Sequence, residues 1–286
     1  MKEIFRIEVA ALVVAVYSST EPWNNFLSTN YRNFSSLKNP HIKIYASFPG
    51  RLPAVRGRRV FQLTERYEIY KHNKRLIFKL YAERDIAGHC YILKIDEKLK
   101  KARLYVPKLK SYRSRIVFDY PLDQLFFIYL FSKHQRLIQH GCGIDHNGTA
   151  YVFLGNSGAG KTTLSRILNR NGLTVLSDDR IILHKGKTRF TAYGSPWPGD
   201  GKFALPQGRP LQKVFFLCHG TTNRLVRLTP HKAAAELLKF SFIPFWNKQA
   251  TRTLVGFCVS VAQEIPCFRL EFVPDDSVFE FLKKNL

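Results

Sequence analysis

The sequence predicts an α/β protein in which a phosphate-loop core follows a β-rich N-terminal domain. Three observations carry that prediction. The stretch Tyr151–Thr163, YVFLGNSGAGKTT, reads as an apolar strand, a glycine-rich turn and a helix start. The segments after it alternate strand and helix, whereas those before residue 118 are short runs of β-branched and aromatic residues separated by turn residues. The G-x-x-x-x-G-K-[ST] spacing falls on Gly155, Gly160, Lys161 and Thr162, with Asn156, Ser157, Gly158 and Ala159 between the glycines and Thr163 after them. Glycines let backbone N–H groups converge on an anion without Cβ clashes, and the helix that follows adds the positive end of its dipole. The motif therefore implies a bound nucleoside triphosphate, with Lys161 at its β- and γ-phosphates and the Thr162 hydroxyl on Mg²⁺. A merely flexible turn would not need a strand before it and a helix with Leu164, Ile167 and Leu168 on one face after it.

In order along the chain, strands are expected at Ile4–Tyr17, His41–Phe48, Arg59–Gln62, Tyr67–Tyr70, Leu76–Tyr81, Cys90–Ile95 and Ala102–Val106, with a short helix over Pro22–Phe34. Pro121–His140 reads as a helix, because Leu122, Leu125, Phe126, Tyr129 and Leu130 share a face and Pro121 suits a first turn. The domain boundary is placed just before it, giving domains 1–118 and 119–286. Gly143–Asp145 and Ala150–Leu154 form a strand pair around His146-Asn147-Gly148, and the helix Lys161–Arg170 stops at Gly172. Strand Leu173–Leu176 ends in Ser177-Asp178-Asp179, and Arg180–His184 with Thr188–Tyr193 makes a hairpin. A Gly/Pro-rich loop, Gly194–Gly201, is long enough to act as a lid or binding loop. Strand Val214–Cys218, helices His231–Phe240 and Gln249–Gln263, strand Phe268–Phe272 and a helix after Asp275-Asp276 complete the chain.

Composition narrows the partners. The 286 residues carry a net charge of +24, and Arg51–Arg115 alone has 19 Lys/Arg against 6 Asp/Glu, clustered at turns such as Arg56–Arg59, Lys98–Lys101 and Lys108–Lys110. Such charge suits nucleic acid, an acidic membrane surface or an acidic peptide. Nucleic acid is not favoured, because the basic residues form no known DNA or RNA module. Five scattered cysteines without a C-x-x-C pair argue against a disulfide framework or zinc site, so a reducing compartment, the cytoplasm, is expected. The apolar run Val9–Val16 is too short for a membrane span and has Glu3 and Glu8 where a signal peptide wants positive charge, so it reads as a buried strand.

Phosphoryl transfer needs a carboxylate at the end of a neighbouring strand, and Asp178-Asp179 occupies such a position. Adjacent residues on a strand end point to opposite sides, so one can face the metal and the other a substrate hydroxyl as general base. In the Gly/Pro loop, Asp200 is a further candidate metal ligand, and Trp197 can stack on a base or pack the loop. Lys202 or Arg209 can neutralise charge on a transferring phosphoryl group; spacing does not choose between them.

Together, His140, the loop Gly155–Thr162 and Gly172-Leu-Thr-Val-Leu-Ser-Asp-Asp179 resemble the catalytic domain of HPr kinase/phosphorylase, over about residues 137–217. The resemblance implies a core of the HPr kinase/phosphoenolpyruvate carboxykinase type. It implies that His140 and Lys161 assist at the phosphates, that Thr162 helps to hold Mg²⁺ and that Asp179 takes the proton from a serine; Asp178 is then the acid expected on the metal. The family's Arg-Gly-Leu-Gly stretch is absent, and Gly194–Gly201 stands in that region. There, and in Pro244-Phe-Trp246 and Ile265–Pro274, the chain is similar to HPr-kinase-related proteins that modify ribosomal peptides, lasso-peptide tailoring kinases among them. That subgroup implies ATP-dependent phosphorylation of a peptide or small-protein serine, with the N-terminal domain recruiting the peptide. The basic loops would suit an acidic peptide. A kinase of a small hydroxylated metabolite and a nucleotide-dependent binding module gripping nucleic acid are the rival expectations. HPr kinases assemble into rings, so an oligomer is compatible with the resemblance.

Overall fold

The computed structural model describes residues 1–18, 27–64, 66–81, 90–107 and 118–286. The start of the helix expected over Pro22–Phe34 and the basic turn Lys108–Lys110 lie outside the described residues. The protein is a mixed α/β structure with two large mixed sheets. It divides into two compact units, Met1–Phe127 and Ile128–Leu286, and the division falls within the helix α1, Leu122–Ser132. The sequence places the boundary at 118/119.

The first unit is built on an eight-stranded sheet. Its strands are β1 (Lys2–Val9), β2 (Leu12–Ser18), β3 (Ile42–Ser47), β4 (Arg58–Leu63), β5 (Tyr67–His72), β6 (Arg75–Tyr81), β7 (Cys90–Asp96) and β8 (Lys101–Tyr105). Their order across the sheet is β1-β2-β3-β8-β7-β6-β5-β4. The single strand expected over Ile4–Tyr17 is instead a hairpin, turning at Ala10 and Ala11 with φ of 48° and 60°. Two consecutive left-handed alanines match the twist of a two-residue hairpin but carry none of the Gly or Asn signal that announces one. A 3-10 helix at Thr29–Phe34 brings Tyr31 and Phe34 into the core, where Phe118, Phe126 and Phe127 pack ring against ring. The Tyr31 hydroxyl donates to the buried Asp123 carboxylate at 2.7 Å, which satisfies both polar groups in an apolar surround.

The second unit has the strands β9 (Arg136–His146), β10 (Thr149–Leu154), β11 (Thr174–Ser177), β12 (Arg180–Lys185), β13 (Phe190–Tyr193), β14 (Gly208–His219), β15 (Arg224–Arg227) and β16 (Cys267–Phe272). Its helices beyond α1 are α2 (Lys161–Arg170), α3 (Pro230–Lys239), α4 (Lys248–Glu264) and α5 (Ser277–Lys283). Strand β10 lies parallel to β14, and β14 parallel to β16. Alternate residues of β10 enter two separate cores: Ala150, Val152 and Leu154 pack with α3 and α4, and Tyr151 and Phe153 with α2 and α5. A sheet covered on both faces needs an unbroken apolar run, and this is why β10 reads so clearly in the sequence. The helix expected over Pro121–His140 stops at Ser132, and the chain turns through Gln135 (φ 57°) into β9. Arg136–His140 is strand because it pairs with β12, a long-range partner that local periodicity does not report.

Strand β9 gains a second partner midway. Arg136–His140 pair with β12 and Gly143–Asp145 with β11 along one edge, and from Gly141 to His146 the other edge pairs with β10. Where β10 joins, a Cβ on Gly141 would meet the Leu154 side chain at 2.4 Å and the Phe153 carbonyl at 2.6 Å. Backbone cannot retreat as a flexible side chain can, so Gly141→Ala should cost about 1–3 kcal/mol in urea denaturation. An unchanged midpoint would show that the strands separate freely at this point.

Candidate functional site

The stretch of β9 around His140 and Gly141 brings the acid pair and the glycine loop together. His140 is the last residue paired with β12, opposite Arg180, and Gly141 is paired with Leu154, the residue that feeds the glycine loop. The Gly141 amide also donates to the Asp179 carbonyl at 2.9 Å, while the His140 amide donates to the Phe240 carbonyl at 2.7 Å. His140, Asp179, Arg180 and the start of the loop are thereby held together by backbone pairing.

In the loop, Gly158 and Gly160 take φ of 81° and 86°, a region that L side chains disfavour. A Cβ on Gly160 would also sit 2.7 Å from the Phe272 ring, and one on Gly155 2.8 Å from the Ala159 Cβ. Asn156, Ser157 and Gly158 are exposed, Gly155 and Ala159 are buried, and Gly160 caps α2. Lys161 is buried, and its ammonium donates to the carbonyls of Gly155 and Asn156 at 2.9 and 2.8 Å. Burial pushes its pKa down, because the charged form loses water that two carbonyls only partly replace. Thr162 is half-buried on the first turn of α2, and Thr163 is exposed. A helix start bearing a buried ammonium is suited to an anion.

The two acids have different surroundings. Asp178 is 1% exposed, and its oxygens accept from the amides of Gly199 at 2.9 Å and Gly201 at 2.6 Å. Asp178, expected as a metal ligand, has its oxygens on these amides and braces the Gly194–Gly201 loop. Asp200, between those two amides, has an exposed side chain, and its carbonyl accepts from Arg166 at 3.0 Å. Arg166 lies one helical turn beyond Thr162, so the loop reaches α2 on the face that carries Thr162. Asp179 is open to solvent in part: one oxygen lies 3.4 Å from His140 Nδ1, and the other pairs with Arg180 at 2.9 Å. Burial, then the Lys161 charge, push the His140 pKa below its ordinary value, although Asp179 pulls it up.

Arg180 was not singled out by spacing, though it directly follows the acid pair. Its guanidinium lies 5.5 Å from the Phe242 ring centroid, and its buried Nε has no hydrogen-bond partner among the described residues. His219 was missed as well; its Nε2 lies 2.9 Å from the Gly158 carbonyl. Arg209 is tied to Asp145 at 2.5 Å. Asp145 stands five residues along β9 from His140, about 17 Å away at strand rise. Lys202 is exposed beside the braced loop, and Trp197 is buried within it. Among the described residues no group of three or more His, Cys, Asp or Glu gathers as a metal cage. No helix among them is long and apolar enough to cross a membrane.

The lowered His140 pKa has a signed consequence. Between that value and the usual 6.5 the unfolded chain binds more protons than the folded one, so this contribution to stability is present above pH 6.5 and declines as pH falls. In Lys161→Met, the His140 imidazole signals followed by NMR should titrate at higher pH than in the parent protein; no upward shift would mean that the ammonium does not act on His140. In comparisons with known proteins, no family model matches the sequence and no curated protein matches it. Among solved structures, the HPr(Ser) kinase/phosphatase from Coxiella burnetii is similar over 52% of this chain and 94% of that one, at 13% identity and a TM-score of 0.32.

Proposed function

We propose that the second unit is an ATP- and Mg²⁺-dependent phosphotransferase that moves the γ-phosphoryl group to a serine hydroxyl of a peptide or small protein. One observation carries the reading: a buried ammonium at a glycine-loop helix start stands in the same electrostatic neighbourhood as a His140–Asp179–Arg180 cluster. The order of motifs in the sequence, which resembles HPr kinase, supports it. Lys161, with the loop amides and the α2 dipole, holds phosphate oxygens and exchanges its two carbonyl partners for them. Asp179 accepts the serine proton as the serine oxygen bonds to the γ-phosphorus and the bond to the β-phosphate oxygen breaks. His140, neutral at physiological pH, orients the Asp179 carboxylate, and Arg180 pairs with its other oxygen. A cavity of about 600 Å³, lined by Asn156–Ala159 and by Cys218, His219 and Phe240, has room for the nucleoside.

Mg²⁺ neutralises the β- and γ-phosphate oxygens when it is bound. It keeps several waters and needs only one or two protein ligands besides the phosphates, so the donors present fit it without a protein cage. Thr162 and Asp200 would supply those ligands, with Asp178 acting by holding the loop that carries Asp200. In transfer of label from γ-labelled ATP to a serine peptide library, Asp179→Asn should abolish labelling, a loss of about 10²-fold or more, while leaving ATP affinity near that of the parent. Lys161→Met should weaken ATP binding as well. Equal labelling of small metabolites, or label released only as free phosphate and unaffected by Asp179→Asn, would overturn the peptide-kinase reading.

A further inference from the structure

The first unit has a sheet face that the phosphotransferase reading does not use. Strand β3 alternates buried Ile42, Ile44 and Ala46 with Lys43, Tyr45 and Ser47, and β8 alternates buried Ala102 and Leu104 with Lys101, Arg103 and Tyr105. One face is therefore core; the other is open to solvent along β3 and β8, and is closed at its margins, where Ala15 of β2 and Ile92 of β7 are buried and Tyr105 packs against Ile92. On the solvent side, Tyr17 of β2, Tyr45 of β3, Arg103 of β8 and Lys94 of β7 are successive register partners, a single row across four strands. At strand spacing that row is about 14 Å wide. Lys43 and Lys101 form the next row on one side, and Ser47, Tyr105, Ile92 and Lys79 the next on the other.

Cations and rings are interleaved. Tyr17 and Tyr45 stack with centroids 5.6 Å apart, Lys43 Nζ lies 5.8 Å from the Tyr17 ring, and Lys94 Nζ lies 5.4 Å from the Tyr105 ring. Lys43, Lys101 and Arg103 are exposed, and Tyr17, Tyr45, Tyr105 and Lys94 are half-exposed. The acids nearby are engaged: Glu3 pairs with Arg6, Glu68 with Arg59 and Lys79, and Asp96 accepts from the amides of Lys100 and Lys101. The four cations Lys43, Lys94, Lys101 and Arg103 make no salt bridge among the described residues.

We propose that this face of the β2-β3-β8-β7 sheet binds single-stranded nucleic acid, with Lys43, Lys94, Lys101 and Arg103 on its phosphates and Tyr17, Tyr45 and Tyr105 under its bases. Charge complementarity selects a polyanion, and the rings select which one. An acidic peptide would satisfy the cations but offer nothing to stack on three tyrosines, and a duplex keeps its base faces inside. An unpaired strand presents a phosphate chain and π faces together, which is what interleaved cations and rings recognise. The proposal stands independently of the phosphotransferase reading.

The test is fluorescence anisotropy of the full chain with a labelled oligouridylate of about 15 nucleotides, within the usual site size of such platforms, across a salt series. Affinity should fall linearly on a log–log plot, and Lys43→Ala with Arg103→Ala should reduce the slope by about 1.4, two contacts at the single-strand increment. Tyr45→Ala with Tyr105→Ala should weaken binding about tenfold or more while leaving the slope unchanged. Should the tyrosine pair fail to melt like the parent, Lys43→Glu with Lys101→Glu, both on exposed side chains, should abolish binding on its own. Equal competition by a polyglutamate peptide would assign the surface to acidic peptides and overturn the proposal. So would equal affinity for duplex, or binding that no substitution on this face alters.

Discussion

The second unit depends on one constraint: β9, paired along one edge with β11 and β12, must take up β10 on its other edge from Gly141 onward. A strand can add a second partner only where its backbone can be approached closely. Gly141, packed against Leu154 and the Phe153 carbonyl, is where this chain allows it. Because β10 joins at that residue, its end lies across β9 from the start of β12. The glycine loop leaves one and Asp179 precedes the other. The chemistry of the site thus follows from hydrogen-bond register, and the side chains arrive in place already supported by paired backbone.

Within that frame, the electrostatics show what a ligand would change. The Lys161 ammonium is held by two carbonyls in a buried position, an arrangement that satisfies its hydrogen bonds without neutralising its charge. Asp179 already shares its charge with Arg180 and lies near His140. An anion at the loop would give Lys161 the counter-charge it lacks, and removing water would strengthen every term in the cluster. His140 feels both charges with opposite sign, which makes its protonation a reporter of either.

Much of this was legible locally. The loop and α2 were readable because strand, glycines, lysine and helix face follow one another without a gap, and because a doubly covered strand writes an unbroken apolar run. The bounds of α1 were not, since Leu137 and Ile138 continue an apolar pattern equally suited to the strand they enter. The Ala10–Ala11 turn carries no turn residue, and β14 starts at Gly208, ahead of Pro210, a residue that reads as punctuation. At the site, the identity of the loop residues was plain, but the partners of the acids were not. Arg180 and Arg209 look alike in sequence, and only the register of β9 places the first beside His140 and the second beside Asp145.

The adjacent acids carry the same lesson furthest. Strand geometry alone says that Asp178 and Asp179 point to opposite sides, which divides their tasks without assigning them. Burial assigns them. A carboxylate that is 1% exposed and accepts two short amide bonds is held by structure, and detaching it would strand two donors and a charge in the interior. Its neighbour keeps solvent on one side and has the Arg180 guanidinium and the His140 imidazole for partners, groups that can shift as a substrate arrives. The rigid acid fixes the loop over α2, and in the proposed reaction the adjustable one would take the proton. The Gly-Pro loop is packed at its start, where Ser195 and Trp197 are buried, and held at its end by Asp178, to which Gly199 and Gly201 bring their amides and with which a Cβ at Gly201 would already collide at 2.6 Å.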